Sequence, residues 1–135
     1  MHPDPASEAQ RWLAQAERDL DDARFNASGG RHHLACFLSQ QSAEKALKAV
    51  AYLSGEERML SHSCAELVRA QADGRPTLAE LFGSAAALDK YYIPTRYPNG
   101  LPGGIPSDAF SAEDSAIALG HASRIVQACG GEIER

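Results

Sequence analysis

The stretch Leu34–Ser54, LACFLSQQSAEKALKAVAYLS, restricts the possible folds of this chain more than any other. At 3.6 residues per turn, Ala35, Leu38, Ser42, Ala46, Ala49 and Leu53 share one face. Ala43, Leu47 and Val50 widen that face to about half the circumference. So broad an apolar arc needs more than one neighbouring element to cover it. The opposite side carries Gln41, Lys45, Lys48 and Tyr52 at spacings of four, three and four, which stacks them in one line beside Gln40 and Glu44. The chain has three lysines, at positions 45, 48 and 90, and two of them stand in this stripe. A solvated face with a Glu44–Lys48 pair is one reading of it, and a ligand-facing stripe is the other.

The flanking segments also read as helices. Ser7 with Gln10 forms a capping box that starts a helix running to about Ala27, with Trp12, Ala16, Leu20, Ala23 and Ala27 inward and Ser28-Gly29-Gly30 ending it. Gly55-Glu56-Glu57 breaks the central helix. Ser63 and Glu66 cap a short helix that stops at Asp73-Gly74. Thr77 and Glu80 open another, carrying Leu78, Leu81, Phe82, Ala85 and Leu88 to about Lys90. Ser111 and Asp114 start the last long helix, with Ala112, Ala116, Leu119, Ser123 and Val126 inward and Gly130-Gly131 as its end. No strand pattern and no internal repeat interrupts this series. The expected fold is therefore all-α, an antiparallel up-and-down bundle of four long helices plus one short helix. It forms one domain over residues 1–135, with its core in 7–130 and a Pro/Gly-rich loop at 91–110.

Composition bounds what such a bundle can do. A formal net charge of −5 argues against a protein that coats nucleic acid through a basic face, though it permits a local basic pocket. Cys36, Cys64 and Cys129 are odd in number and widely separated, and no histidine or carboxylate set completes a metal site with them. No metal and no cofactor is expected. The opening residues MHPDPASEAQ lack a signal-peptide pattern, and no apolar run reaches the length of a membrane span, so a cytoplasmic, membrane-free protein is expected. His32 and His33, adjacent at a helix start, read as surface residues.

The loop YYIPTRYPNGLPGGIPSDAF differs in kind from the rest of the chain. Its prolines forbid helix, and a long irregular connection in a small domain is commonly functional or mobile. Tyr91, Tyr92, Ile93 and Tyr97 are apolar enough to pack down, whereas Leu101–Pro106 reads as mobile. Arg96 stands among three of the chain's four tyrosines. Arginine grips phosphate with a bidentate fork, and tyrosine stacks on bases or donates a hydroxyl bond. Folded back over the central helix, the loop would join Arg96 to Lys45 and Lys48 around one anionic group. The competing reading is a Tyr/Pro plug sealing the bundle, with Arg96 capping helix carbonyls. His62, between Ser61 and Ser63, reads either as an acid–base group or as part of a cap.

Three features together resemble the HEPN domain family over roughly residues 8–130. The first is Trp12 with Ala16, Asp19-Leu20 and Ala23. The second is the run from Cys36 to Ala49, similar to the family's F-x-x-Q-Q-A-x-E-K-x-L-K-A pattern. The third is Arg96-Tyr97-Pro98 followed by Asp108 and Asp114 at the entry to the final helix, with His62 where many members place a histidine. The resemblance implies a helical homodimer, a dimer that the wide apolar arc also favours. It further implies a small nucleotidyltransferase as partner, in some members as a toxin–antitoxin pair. Other members are RNases with an Arg-x4–6-His motif. Here Leu101, Pro102 and Gly103 occupy the positions after Arg96 where that histidine would stand, and Arg58 and His62 are too close together. The resemblance therefore implies a non-catalytic subunit that binds a nucleotide or nucleic-acid phosphate. Its expected site is Gln41, Lys45, Lys48, His62, Tyr92, Arg96 and Tyr97, with no catalytic and no metal residues. The alternatives are an RNase in which His62 or His121 replaces the missing histidine, and a purely structural assembly module.

Overall fold

A computed structural model describes residues 4–56 and 61–134. Glu57 and Arg58, which figure in the helix-break and motif readings, lie outside the described residues. Helix α1 spans Pro5–Ser28 and starts earlier than the capping box suggests. Asp4 is its N-cap and accepts a bond from the Ser7 N–H, with Pro5 in the first turn where a missing donor costs nothing. Its inward face is Ala9, Leu13, Ala16, Leu20 and Ala23, while Trp12 and Ala27 are half-buried at the edge. Gly30 adopts φ +78°, a left-handed turn that reverses the chain in three residues.

Helix α2, His32–Leu53, is the axis of the molecule and packs against α1 and against the last long helix, α7 (Ala112–Glu134). The wide apolar arc is thus covered from several sides. Burial goes further than the apolar pattern, because Ser39, Gln40, Ser42, Glu44 and Lys48 are buried as well.

The third leg of the bundle comes in pieces: α3 (Cys64–Gln71), α4 (Pro76–Ala79) and α5 (Phe82–Asp89). Ser63 caps α3 as expected, accepting from the Glu66 N–H at 3.1 Å. Asp89, at the end of α5, reaches the same helix start and accepts from the N–H groups of Cys64 (2.7 Å) and Ala65 (3.2 Å). One carboxylate thereby locks two short helices together at an N-terminus that favours negative charge. The expected helix from Thr77 to Lys90 is interrupted at Glu80-Leu81. Gly83 and Ser84, poor helix formers, let the burial of Leu78, Leu81 and Leu88 decide the path. Among the described residues there are thus three long helices, of 24, 22 and 23 residues, rather than four.

The legs nonetheless run up and down. Arg24 bonds Ser123 and Leu13 lies beside Gly130, so α1 and α7 are antiparallel. His32 bonds Ser115 at one end, and Arg75 links Ser54 to Glu132 at the other, so α2 and α7 are parallel. The buried stripe of α7 includes Val126 of the expected Ala112–Ala116–Leu119–Ser123–Val126 face, but otherwise runs one position away from it, through Ser115, Ala118, Ala122, Ile125 and Cys129. Alanines on both sides make the phase ambiguous in sequence. Nor does α7 stop at Gly130-Gly131. Glu132 and Ile133 are buried, and the Arg75–Glu132 pair holds the final turn against the cost of about 1 kcal/mol per glycine.

The segment after α5 packs down at both ends. Tyr91 meets Phe110 edge-on at 6.1 Å, and Thr95 is buried and donates to the Tyr91 carbonyl. Leu101–Pro106, read as mobile, ends in a buried Pro106 that opens a short helix, α6 (Pro106–Ala109). Gly100 crosses Pro94 so closely that a Cβ there would lie 2.9 Å from the Pro94 Cα. Among the described residues, no helix is long and apolar enough to cross a membrane.

Candidate functional site

The polar stripe of α2 is largely internal. Glu44, only 4% exposed, gathers the Lys48 ammonium at 2.8 Å and the His62 Nδ1 at 3.3 Å. Gln40 donates to the His62 carbonyl at 2.9 Å, and Gln41 donates to the Gln40 Oε1 at 2.8 Å and approaches Glu44 at 3.4 Å. Lys45 pairs at 2.5 Å with Asp19 of α1, whose other oxygen accepts from Gln15. Among the described residues, no buried side-chain nitrogen or oxygen is left without a partner. The solvated-face reading of this stripe is therefore incorrect. A central helix in contact on most sides keeps polar groups only where each is satisfied.

Arg96 is held differently. Its guanidinium carbon lies 4.5 Å from the Phe37 ring centroid, 4.6 Å from Tyr92 and 5.0 Å from Tyr97. Nε donates to the Tyr92 carbonyl at 2.8 Å, which fixes the plane of the group. Among the described residues, no carboxylate pairs with it, so the two terminal nitrogens have donors available. His62, with a side chain 63% exposed, stacks on Tyr92 at 5.0 Å and 17°. Arg96 and His62 thus share one aromatic ring, and Glu44 joins that ring's imidazole partner to the α2 stripe.

The expected gathering of Arg96 with Lys45 and Lys48 does not occur. Arg96 rests on Phe37, and the helix rise puts Lys45 about 12 Å and Lys48 about 16 Å further along α2. Both ammonium groups are already engaged, by Asp19 and Glu44. The structure brings together Arg96, Tyr92, Tyr97 and His62, with Gln41 connected to them through Glu44. Lys48 meets the same Glu44 oxygen as His62, and Lys45 turns away to Asp19. Phe37 was missed in the sequence, although it extends the Lys45–Gln41 spacing by one more turn.

The remaining candidates are occupied elsewhere. His121 bonds Ser84 at 3.0 Å, and burial, then Arg124 and Lys90, hold it below the ordinary 6.5. His33 is lowered too, by burial first and then by Arg31 and His32. Cys36, Cys64 and Cys129 are free and buried. Burial pushes the Cys36 and Cys129 thiols up to about 12, and Cys64 is raised as well. No group of three or more metal-holding side chains forms among the described residues.

The HEPN domain model matches residues 9–133. TT1696 from Thermus thermophilus has a crystal structure that superposes with TM-score 0.87 at 33% identity, over 93% of this chain and 98% of that one. ST0689, described as an archaeal HEPN homologue, gives 0.78 at 38% identity over the same shares. An HEPN domain protein (tm0613) from Thermotoga maritima gives 0.73 at 28% identity, again over 93% and 98%. No curated protein is significantly similar to the chain.

Proposed function

Since the chain belongs to the HEPN domain family, we propose that it is a non-catalytic subunit that homodimerises and binds a nucleotide or nucleic-acid phosphate. The observation that carries this reading is the Arg96 guanidinium, seated on Phe37, Tyr92 and Tyr97 with no carboxylate among the described residues paired to its terminal nitrogens. A cation held by rings and one backbone bond is pre-oriented, so little side-chain entropy remains to be lost when it forks onto a phosphate. Tyr97, 49% exposed, offers a stacking face, and His62 offers a second donor beside the Tyr92 ring. Gln41 supports the position of His62 through Glu44. Lys45 and Lys48, engaged with carboxylates, contribute positive potential at a distance rather than contacts. Titration with nucleoside phosphates and short single-stranded RNA tests the reading. Arg96→Lys, which keeps the charge and loses the fork, weakens binding about tenfold; unchanged affinity contradicts the site.

The partner is proposed to be a small nucleotidyltransferase, in a toxin–antitoxin-like pair. The support is family membership, and co-purification of the two chains is the check. The RNase reading is favoured by one observation, the shared contact of Arg96 and His62 with Tyr92, which sets a guanidinium and an imidazole close together. Metal-independent RNA cleavage lost in both Arg96→Ala and His62→Ala would establish it in place of the binding-only reading.

A further inference from the structure

A cavity of about 610 Å³ lies on the outer side of α1, lined by Glu8, Arg11, Trp12, Gln15 and Arg18, with Lys45 reaching in from α2. This is within the size range of small-molecule sites. The Trp12 indole is fixed on three sides: its N–H donates to Glu8 at 3.1 Å, Tyr52 packs on it at 5.2 Å, and the Lys48 ammonium sits 5.9 Å from its centre. The carboxylates nearby are already engaged. Glu8 takes Arg11 and the indole, and Asp19 takes Gln15 and Lys45. Among the described residues no carboxylate pairs with Arg18. An entering molecule therefore meets a rigid aromatic ring and, in Arg18, a guanidinium with no carboxylate partner among the described residues, while Arg11 and Lys45 stay paired with Glu8 and Asp19. Arg11 and Arg18 are seven residues apart on one face, about 10 Å along the helix, with Trp12 and Gln15 between them.

We propose that this cavity is a second ligand site, independent of Arg96, that takes a nucleoside phosphate. Trp12 contacts the base, the Gln15 Oε1, which has no partner among the described residues, accepts from an exocyclic amine, and Arg18 receives the phosphate. Trp12 is the chain's only tryptophan, so its fluorescence reports this site alone. Titrating the full chain with adenosine monophosphate should quench it saturably, and adenosine or inorganic phosphate alone should need about tenfold more ligand for the same effect. Arg18→Ala leaves the Glu8–Trp12 bond intact and should weaken the quench about tenfold, and adding Arg11→Ala should weaken it further. Arg96→Ala should leave it unchanged while abolishing the other binding event. Absence of quenching at millimolar nucleotide overturns the proposal. So does quenching that is lost in Arg96→Ala but kept in Arg18→Ala, or inorganic phosphate acting as well as the nucleotide. None of these results touches the Arg96 reading, which calorimetry of Arg96→Ala tests separately.

Discussion

Glu44 shows how a single residue can be read correctly as paired and still be misplaced. An i,i+4 partner of Lys48 on a solvated helix contributes a few tenths of a kcal/mol. Buried, the same pair behaves differently, because removing one partner strands the other charge away from water. Glu44→Ala is expected to lower stability by about 3–5 kcal/mol in chemical denaturation, whereas Glu44→Leu combined with Lys48→Met recovers most of that loss. A double variant no better than the single one contradicts this view. His121 supplies the pH dependence at the same scale. Its pKa is depressed by burial and by Arg124 and Lys90, so the folded state binds its proton less well than the unfolded chain does. Its contribution is intact above about 6.5 and is lost as the pH falls below that value. Thermal midpoints should drop between pH 7 and 5, and His121→Gln should flatten part of the slope.

At the scale of elements, the site depends on a loop that is not helical yet is firmly placed. Gly100 passes against the Pro94 backbone, with Ile93 beside it, and the same turn positions Tyr92 and Arg96. Gly100→Ala forces backbone atoms apart and is expected to cost about 1–3 kcal/mol in denaturation, with weaker ligand binding as a second effect. An unchanged midpoint would show that the loop yields freely. The helices themselves were legible in the sequence wherever a cap and an apolar period agreed, as at Ser63 and at Ser111 with Asp114. They were misread where tertiary contacts override local signals, as at the Glu80-Leu81 break and the Gly130-Gly131 pair inside α7. The loop's aromatic content revealed that Arg96 sits among rings. Which rings they are, and that Phe37 of α2 is one, depends on chain crossings that no spacing encodes.

At the scale of the whole molecule, α2 is buried by α1, α7 and the broken third leg, which explains why its polar stripe is a network rather than a surface. The same enclosure shields the three thiols. With Cys36 and Cys129 raised to about 12 and Cys64 also raised, the native protein should resist alkylation at neutral pH and react at all three positions once unfolded. Mass spectrometry with and without denaturant checks this. Phe25, Leu34, Ile93, Ile105 and Ile117 are exposed, which leaves apolar surface for the proposed dimer to draw on. A monomer by light scattering at micromolar concentration contradicts the proposed dimer. The central claim is that an anionic ligand meets the guanidinium of Arg96 on its three-ring seat. Chemical-shift mapping during a titration with nucleoside phosphate and short RNA tests it most directly. The account predicts that the Arg96 Nε–H and the ring signals of Phe37, Tyr92, Tyr97 and His62 shift together and saturate. Signals at those five residues that stay still while ligand binds elsewhere would contradict it.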